Sequence, residues 1–237
     1  MAVDGTVTVD APDRPGPPLR GASVLKPLYF WAAARLPGPA RDPRQWAALA
    51  EPAVRRSAND PTVQIWDGCG ADALLDTIAG LTGVRFTSDP TGRRTFGRVL
   101  VRAEEVARAY AALAAAAGTD ADIAGRLLGW MREVPAEQTF GARTAAAAAL
   151  GVPPGDVGVK CGWFTDEDET VLRTHAVTVT RLTDGQVRGT AVLTALPLAA
   201  AERTAYRTLY VEGPEVLPLH HDHAAASITA ETSRLLA

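Results

Sequence analysis

The sequence is nearly free of lysine. It has 24 lysine and arginine residues together, of which only Lys26 and Lys160 are lysine, so arginine supplies the other 22 positive charges. An arginine stays protonated in proteins, whereas a lysine amine can lose its proton and serve as a base. Lysine at these two positions therefore indicates chemistry that a guanidinium cannot perform.

Other scarce features exclude several classes of protein. The two cysteines, Cys69 and Cys161, are too few for a disulfide scaffold, and we expect both to be thiols. No apolar run reaches the roughly 18 residues of a transmembrane helix. The formal net charge of −3 is spread without runs of one sign, which gives no electrostatic footprint for nucleic acid or an anionic membrane. We therefore expect a small-molecule substrate, no nucleic acid, no membrane and no cofactor, and the oligomeric state stays open.

The first residues give an expectation about location. Met1-Ala-Val-Asp-Gly lacks the basic and apolar regions of a signal peptide. If the native chain starts here, the sequence predicts a cytoplasmic protein.

Ser23 and Lys26 form the motif around which the chain is organised. Residues three positions apart at the start of a helix lie on one face, so the amine is expected to reach the hydroxyl. Pro27 is compatible with a first helical turn, and a helix N-terminus favours a developing anion. The spacing predicts a nucleophile with its base. The alternative is that Ser23 is an ordinary N-cap serine.

Two further motifs follow in the chain. Ser57-Ala58-Asn59 contains the single asparagine, and Lys160-Cys161-Gly162 contains the second lysine. The alternative for the first is a simple turn, since it continues into Asp60-Pro61. The alternative for the second is a solvated lysine on a strand.

The motifs S-x-x-K, S-x-N and K-x-G, in this order, resemble those of the penicillin-recognising serine enzymes: class A β-lactamases, penicillin-binding proteins and related serine hydrolases. The resemblance implies that Ser23 is the nucleophile and Lys26 its base. It further implies that Ser57 relays a proton to the leaving group, that Asn59 binds substrate through its amide, and that Lys160 is the second cation that lowers the pKa of Lys26.

The K-x-G motif departs from the family at Cys161, where the family has Thr or Ser. A thiol is a weak donor, so a substrate carboxylate would be recognised poorly at Cys161-Gly162. The resemblance places the oxyanion hole at the backbone N–H groups of Ser23 and Trp163. The Trp163 side chain either shapes the pocket or packs on the sheet.

The glutamate that activates the deacylating water in class A β-lactamases has no counterpart. The expected loop offers only Asp89, and we expect its arginines to keep it ionised in ion pairs away from the cleft: Arg85, Arg93, Arg94 and Arg98. Slow deacylation is therefore predicted. The short connection from Ser23 to Ser57 predicts a reduced helical subdomain and a more open cleft.

The order of elements predicts an α+β fold, and the resemblance implies a β-lactamase-like one, with an antiparallel sheet flanked by helices and an inserted helical subdomain. The predicted sheet subdomain comprises 1–22 and 151–237, and the helical subdomain comprises 23–150. A hairpin is expected within Met1 to Asp10. Later strands are predicted at 157–164, 174–182 and 187–196, and helices at 42–54, 71–79, 104–117, 122–133, 138–150 and 229–236.

Two functions are compatible with these features. The first is a serine hydrolase or acyltransferase that forms a Ser23 acyl-enzyme from an amide, ester or β-lactam. The second is a catalytically silent β-lactamase-like binding or partner protein, which Cys161 and the missing glutamate favour. His220-His221-Asp222-His223 resembles a metal site, but adjacent ligands on one short loop seldom converge, so a solvated loop is predicted.

Overall fold

A computed structural model describes residues 16–91, 94–117, 123–165, 171–197, 199 and 221–237. The hairpin predicted within residues 1–10 lies outside these ranges, as do Arg93 and His220. Within them the chain forms the predicted mixture of helices and antiparallel strands.

Eight α-helices occur in the described residues: α1 (Lys26–Ala33), α2 (Pro43–Arg55), α3 (Asp60–Cys69), α4 (Ala71–Thr82), α5 (Ala103–Ala116), α6 (Ala124–Arg132), α7 (Ala142–Leu150) and α8 (His221–Leu236). The strands are β1 (Leu19–Arg20), β2 (Thr87–Ser88), β3 (Val99–Val101), β4 (Gly158–Thr165), β5 (Val171–Arg181) and β6 (Val187–Pro197). Two short 3₁₀ segments matter for the site, namely the Ser23 turn (Ala22–Leu25) and the Phe96 turn (Phe96–Arg98).

The larger sheet has the order β4-β5-β6, and both strand pairs are antiparallel. Lys160 lies opposite Val177, and Gly162 lies opposite His175. The predicted turn between β5 and β6 is present, with Gly185 at φ 85°. All three strands lie within a few residues of their predicted positions, because their apolar and β-branched runs are long enough to be recognised.

A smaller antiparallel sheet, of order β1-β3-β2, leads directly into the Ser23 turn. The Gly21 N–H donates to the carbonyl of Val99 at 2.8 Å, which extends the pairing to the residue before Ala22. This smaller sheet was not predicted from the sequence. Strands of two or three residues are too short to show a periodicity of two.

Two hydrophobic cores cover the larger sheet. The first is built mainly by α1 to α6 and receives Val177, Val179 and Ala191 from the sheet. Every residue of α1 is buried, including Lys26, and Leu28 to Ala33 belong to this core. The second core joins α7 and α8 to the other face of the sheet. The sheet therefore lies between two helical layers, which is an α+β arrangement.

Several helices differ from their predicted bounds. The helix expected to end at Gly80 continues to Thr82, and Gly83 terminates it with a left-handed φ of 70°. Glycine inside a helix costs only about 1 kcal/mol, which packing against α1 and α5 offsets. The predicted turn at 57–61 ends sooner, since α3 begins at Asp60 with a proline in its first turn.

At the other end of the chain, α8 begins eight residues before its predicted start at Thr229, and α7 begins at Ala142 instead of Gln138. Among the helices described, none is both long and apolar enough to cross a membrane. The division into subdomains at residues 22 and 151 stays a prediction.

Candidate active site

Ser23 lies half-buried in the turn that leads from β1 into α1. The residue before it, Ala22, has a φ of 49°, a left-handed conformation that costs roughly 1–2 kcal/mol for a residue with a side chain. The turn is held in place because the hydroxyl of Tyr110 donates to the carbonyl of Val24 at 2.5 Å. A strained backbone that packing holds in place is typical of functional sites.

His175 holds the segment on the other side of Ser23. Its Nδ1 accepts from the N–H of Thr194 at 3.2 Å, which assigns the ring proton to Nε2. That nitrogen donates to the carbonyl of Arg20 at 2.9 Å. Burial lowers the pKa of His175 to about 4, so the ring is neutral at pH 7 and keeps this pattern. The β5 strand thereby fixes the chain three residues before Ser23.

The Lys26 amine is fully buried and binds three oxygens of the second motif. Its Nζ donates to the carbonyl of Ser57 at 2.5 Å, to the carbonyl of Ala58 at 2.9 Å and to Oδ1 of Asn59 at 2.8 Å. Among the hydrogen bonds of the described residues, none joins the amine to Ser23 Oγ. The prediction that Lys26 reaches the Ser23 hydroxyl therefore needs correction for the free protein, because the loop before α3 offers three better-placed acceptors.

Two opposing influences act on the proton of Lys26. Burial, and after it the positive charge of Lys160, lower the pKa of Lys26 to about 6. The three acceptors favour the charged amine, since an ammonium has three donors and a neutral amine has two. Burial of a charge is the more costly of the two, so the neutral amine predominates at pH 7.

Lys160 approaches Ser57 from the strand side. Its Nζ donates to Ser57 Oγ at 2.8 Å and to the carbonyl of Cys161 at 2.8 Å. Burial lowers the pKa of Lys160 to about 8, so at pH 7 it keeps its proton. Ser57 thus bridges the two lysines, because its carbonyl accepts a hydrogen bond from Lys26 and its hydroxyl oxygen accepts one from Lys160. It does so in a left-handed conformation, with a φ of 60°.

Gly162 is the point at which β4 meets the Ser23 turn. A Cβ added to Gly162 would lie 2.6 Å from the backbone nitrogen of Ser23 and 2.8 Å from that of Val24. Both distances are shorter than the non-bonded contacts that Cβ atoms make in proteins, so only glycine fits. The predicted K-x-G glycine therefore has a physical reason: it allows the strand to lie directly against the nucleophile's backbone.

The two residues on either side of Gly162, Cys161 and Trp163, belong to the second core. Cys161 lies in the second core, on the opposite face of β4 from Lys160, and burial raises the pKa of its thiol to about 12. Its predicted contact with substrate is therefore wrong, because side chains alternate between the faces of a strand. The Trp163 ring packs edge-on against Phe140, with ring centroids 5.6 Å apart, so it packs beside the sheet.

Asp89, the sole loop carboxylate considered as a base, is held by other groups. Its Oδ1 accepts from the N–H and hydroxyl of Thr91, and its Oδ2 lies 2.6 Å from Nε of Arg20. Burial alone would raise the pKa of Asp89, but the hydrogen bonds from Thr91 and Arg20 outweigh it and lower the pKa to about 2. The carboxylate is structural in this arrangement.

The expected ion pairs of this loop are partly wrong. Asp89 is paired with Arg20, which lies outside the loop, and its Oδ2 lies 3.7 Å from Nη2 of Arg98. Arg85 instead pairs with Asp76, and Arg94 pairs with Asp72.

Replacing Asp89 with asparagine should lower the free energy of unfolding by roughly 3 kcal/mol, because the Arg20 guanidinium loses its buried carboxylate partner. Asp76→Asn is the matched control, since its pair with Arg85 is exposed and should contribute under about 1 kcal/mol. Urea unfolding at pH 7 measures both. The stabilisation by Asp89 should be lost as the pH falls from 3.8 towards about 2. Equal effects of the two substitutions would contradict the structural role.

Phe96 belongs to the site but was not predicted. Its ring lies over the Lys26 amine, with Nζ 5.1 Å from the ring centroid. A single phenylalanine in an irregular loop gives no signal in the sequence. Only the spatial contact between the Phe96 turn and the Ser23 turn reveals it.

The described residues contain no group of three or more His, Cys, Asp or Glu side chains that could hold a metal ion. His221, Asp222 and His223 form the first turn of α8 instead of the predicted loop.

Comparisons with known proteins support the fold. No protein-family model matches the sequence, and no curated protein sequence matches it. In structure, the chain is similar to a β-lactamase from Chitinophaga pinensis, with a TM-score of 0.50 and 16% sequence identity, over 92% of this chain and 86% of that chain. The predicted β-lactamase-like α+β fold is therefore confirmed. An identity this low supports the fold alone.

Proposed function

We propose that the chain is a serine hydrolase or acyltransferase that forms an acyl-enzyme on Ser23 from an amide, an ester or a β-lactam. The observation that carries the proposal is the pair of buried lysine amines on the two sides of Ser57. Burying two amines is costly, and a chain that otherwise uses arginine retains lysine at both places. The β-lactamase-like fold is consistent with this chemistry.

In the proposed first step, Ser23 Oγ attacks the substrate carbonyl and gives its proton to the neutral amine of Lys26. The amine would exchange one of its three oxygens for Ser23 Oγ when substrate enters. A lost hydrogen bond costs about 1 kcal/mol, whereas general-base catalysis contributes roughly 100- to 10,000-fold. Catalytic hydrogen bonds often form only in the substrate complex.

The leaving group would take its proton from Ser57, and Lys160 would replace it by giving a proton to Ser57 Oγ. The proton that Lys26 removed from Ser23 would then pass to Lys160, whose pKa of about 8 is higher than the pKa of about 6 of Lys26, so that both lysines regain their starting states. Because Lys160 donates to Ser57 Oγ, the hydroxyl hydrogen of Ser57 is available to a substrate nitrogen or oxygen.

The side chain of Asn59 is exposed, and its Oδ1 accepts a hydrogen bond from the Lys26 amine. Its NH₂ group can therefore donate to a substrate carbonyl. The backbone N–H of Ser23, beside Gly162, supplies the proposed oxyanion donor, and the second donor predicted at Trp163 stays a prediction.

The proposed second step, attack of water on the acyl-enzyme, lacks a dedicated base. Asp89 is engaged with Arg20 and Thr91, and its low pKa makes it a poor proton acceptor. The acyl-enzyme should therefore persist.

Stopped-flow mixing with a chromogenic β-lactam tests the proposal. We expect a burst of about one product per enzyme followed by slow turnover, because acylation is supported and hydrolysis is not. Asp89→Asn should leave the slow phase unchanged in protein that remains folded. Rapid linear turnover without a burst would show that deacylation is fast.

The alternative is a silent binding or partner protein. It is favoured by the three oxygens that already bind Lys26 in the free protein. In that case no covalent adduct would appear on Ser23 with any acylating probe, whereas the proposed enzyme would be labelled.

A further inference from the structure

The Phe96 turn is fixed against the nucleophile by two contacts. The carbonyl of Phe96 accepts from the hydroxyl of Tyr29, on α1, at 2.8 Å. The neighbouring Gly97 lies beside the Ser23 turn, where an added Cβ would be in ordinary van der Waals contact with Cα of Ala22, at 3.8 Å. The backbone that carries the Phe96 ring is therefore bound to α1 and lies beside the turn of the S-x-x-K motif.

The ring completes the enclosure of the Lys26 amine. The oxygens of Ser57, Ala58 and Asn59 bind the amine, and the ring face lies over it. Lys26 has no exposed surface. A water molecule could use this amine as a base only if it formed a hydrogen bond to Nζ. On the side covered by the Phe96 ring, such a water would have no strong polar partner besides the amine.

We propose that Phe96 determines the fate of the acyl-enzyme by excluding water from Lys26, an inference that rests on the proposed Ser23 chemistry. In hydrolysis, the water oxygen bonds to the acyl carbon while one water proton passes to a base. The bond from the acyl carbon to Ser23 Oγ then breaks, Oγ takes up a proton, and a carboxylic acid leaves. If no water is hydrogen-bonded to Lys26, the attack of water on the acyl carbon has no base to accept the water proton.

The exclusion of water from Lys26 does not affect acylation. Its proton comes from Ser23, which lies on the same chain segment as Lys26 and needs no space for water. Phe96 therefore separates the two half-reactions, because Ser23 Oγ can replace one of the three oxygens on the amine whereas a water from solvent cannot reach it. An acyl group held in this way is preserved for an acceptor other than water.

Two substitutions of similar volume test the inference. Phe96→Gln retains bulk but offers polar atoms that can hold a water, whereas Phe96→Leu retains an apolar cover. Each folded protein, checked by thermal unfolding, is labelled with a β-lactam probe and freed of excess probe. Intact-protein mass then follows the decay of the adduct, and the acylation rate is measured separately.

We expect the glutamine variant to lose its adduct at least about tenfold faster than the parent chain, and the leucine variant to rescue most of the lifetime. Equal adduct lifetimes in the parent and the glutamine variant would overturn the inference and leave the proposed function intact. Equally short lifetimes in both variants would also overturn it, since an apolar cover would then not suffice. If the parent chain forms no Ser23 adduct, the proposed function fails and the inference falls with it.

Discussion

Ser23→Ala should reduce covalent labelling by an activated ester or a β-lactam at least about a thousandfold, because no oxygen remains to form the ester. The measurement is the intact-protein mass as a function of time after addition of the probe. Peptide mapping of the parent chain should place the adduct on the peptide that contains Ser23.

Substitutions of two other serines test whether the loss of labelling is specific to Ser23. Ser233→Ala, in α8, is the control and should label at the parent rate. Ser57→Ala is the sharper comparison, because the hydroxyl of Ser57 already binds a lysine amine at 2.8 Å and is the competing nucleophile. It should slow labelling without moving the adduct from Ser23. If Ser23→Ala labels as fast as the parent chain and Ser57→Ala does not label, the nucleophile is Ser57.

Lys26→Arg should slow acylation of Ser23 by on the order of a hundredfold or more, since arginine keeps the positive charge but does not give up its proton at neutral pH. The reason lies in the burial of Lys26, which lowers the pKa of its amine to about 6 and makes a base available at pH 7. The burst rate in the stopped-flow assay measures the effect.

Arginine is larger than lysine, so a second variant is needed to distinguish the loss of the base from a packing defect. Lys26→Met has neither charge nor base and is close to lysine in size. Both variants should be slow, because neither supplies a base to Ser23. Full activity of Lys26→Arg would show that Lys26 supplies only charge or packing.

The motifs predicted which residues would meet. The Ser57-Ala58-Asn59 motif and Lys160 lie far apart in the sequence from each other and from Lys26, yet hydrogen bonds join them. The Lys26 amine donates to Ser57 and Asn59, and the Lys160 amine donates to Ser57. The glycine of the third motif also proved necessary, since no side chain fits between β4 and the turn of Ser23. Residue types with strict chemical or steric requirements are predictable because few alternatives satisfy them.

The choice of partners within the cluster was not predictable. Which acceptor the Lys26 amine takes depends on the backbone of the following loop, where Ser57 adopts a left-handed conformation that no pattern in the sequence indicates. His175 and Phe96 act through contacts between distant segments, which periodicity does not reveal. These residues become visible only when the strands and turns are placed in space.

One wrong prediction could have been avoided. Side chains alternate along a strand, so if Lys160 faces the nucleophile, the next residue must face away. Cys161 does face away and packs with α7 and α8. Its assignment to the substrate came from the resemblance, and the alternation of the strand should have outweighed it.

The proton on Lys26 can be measured directly, because the chain contains only two lysines. Protein labelled with ¹³C at the lysine ε carbon should give two resonances, and the Lys26→Arg variant assigns them. We expect Lys26 to titrate at a pKa of about 6 and Lys160 at about 8, so that acylation rises as the pH passes 6 and falls as it passes 8. A Lys26 resonance that titrates near 10.5, the ordinary lysine value, would contradict the assignment of this amine as the base.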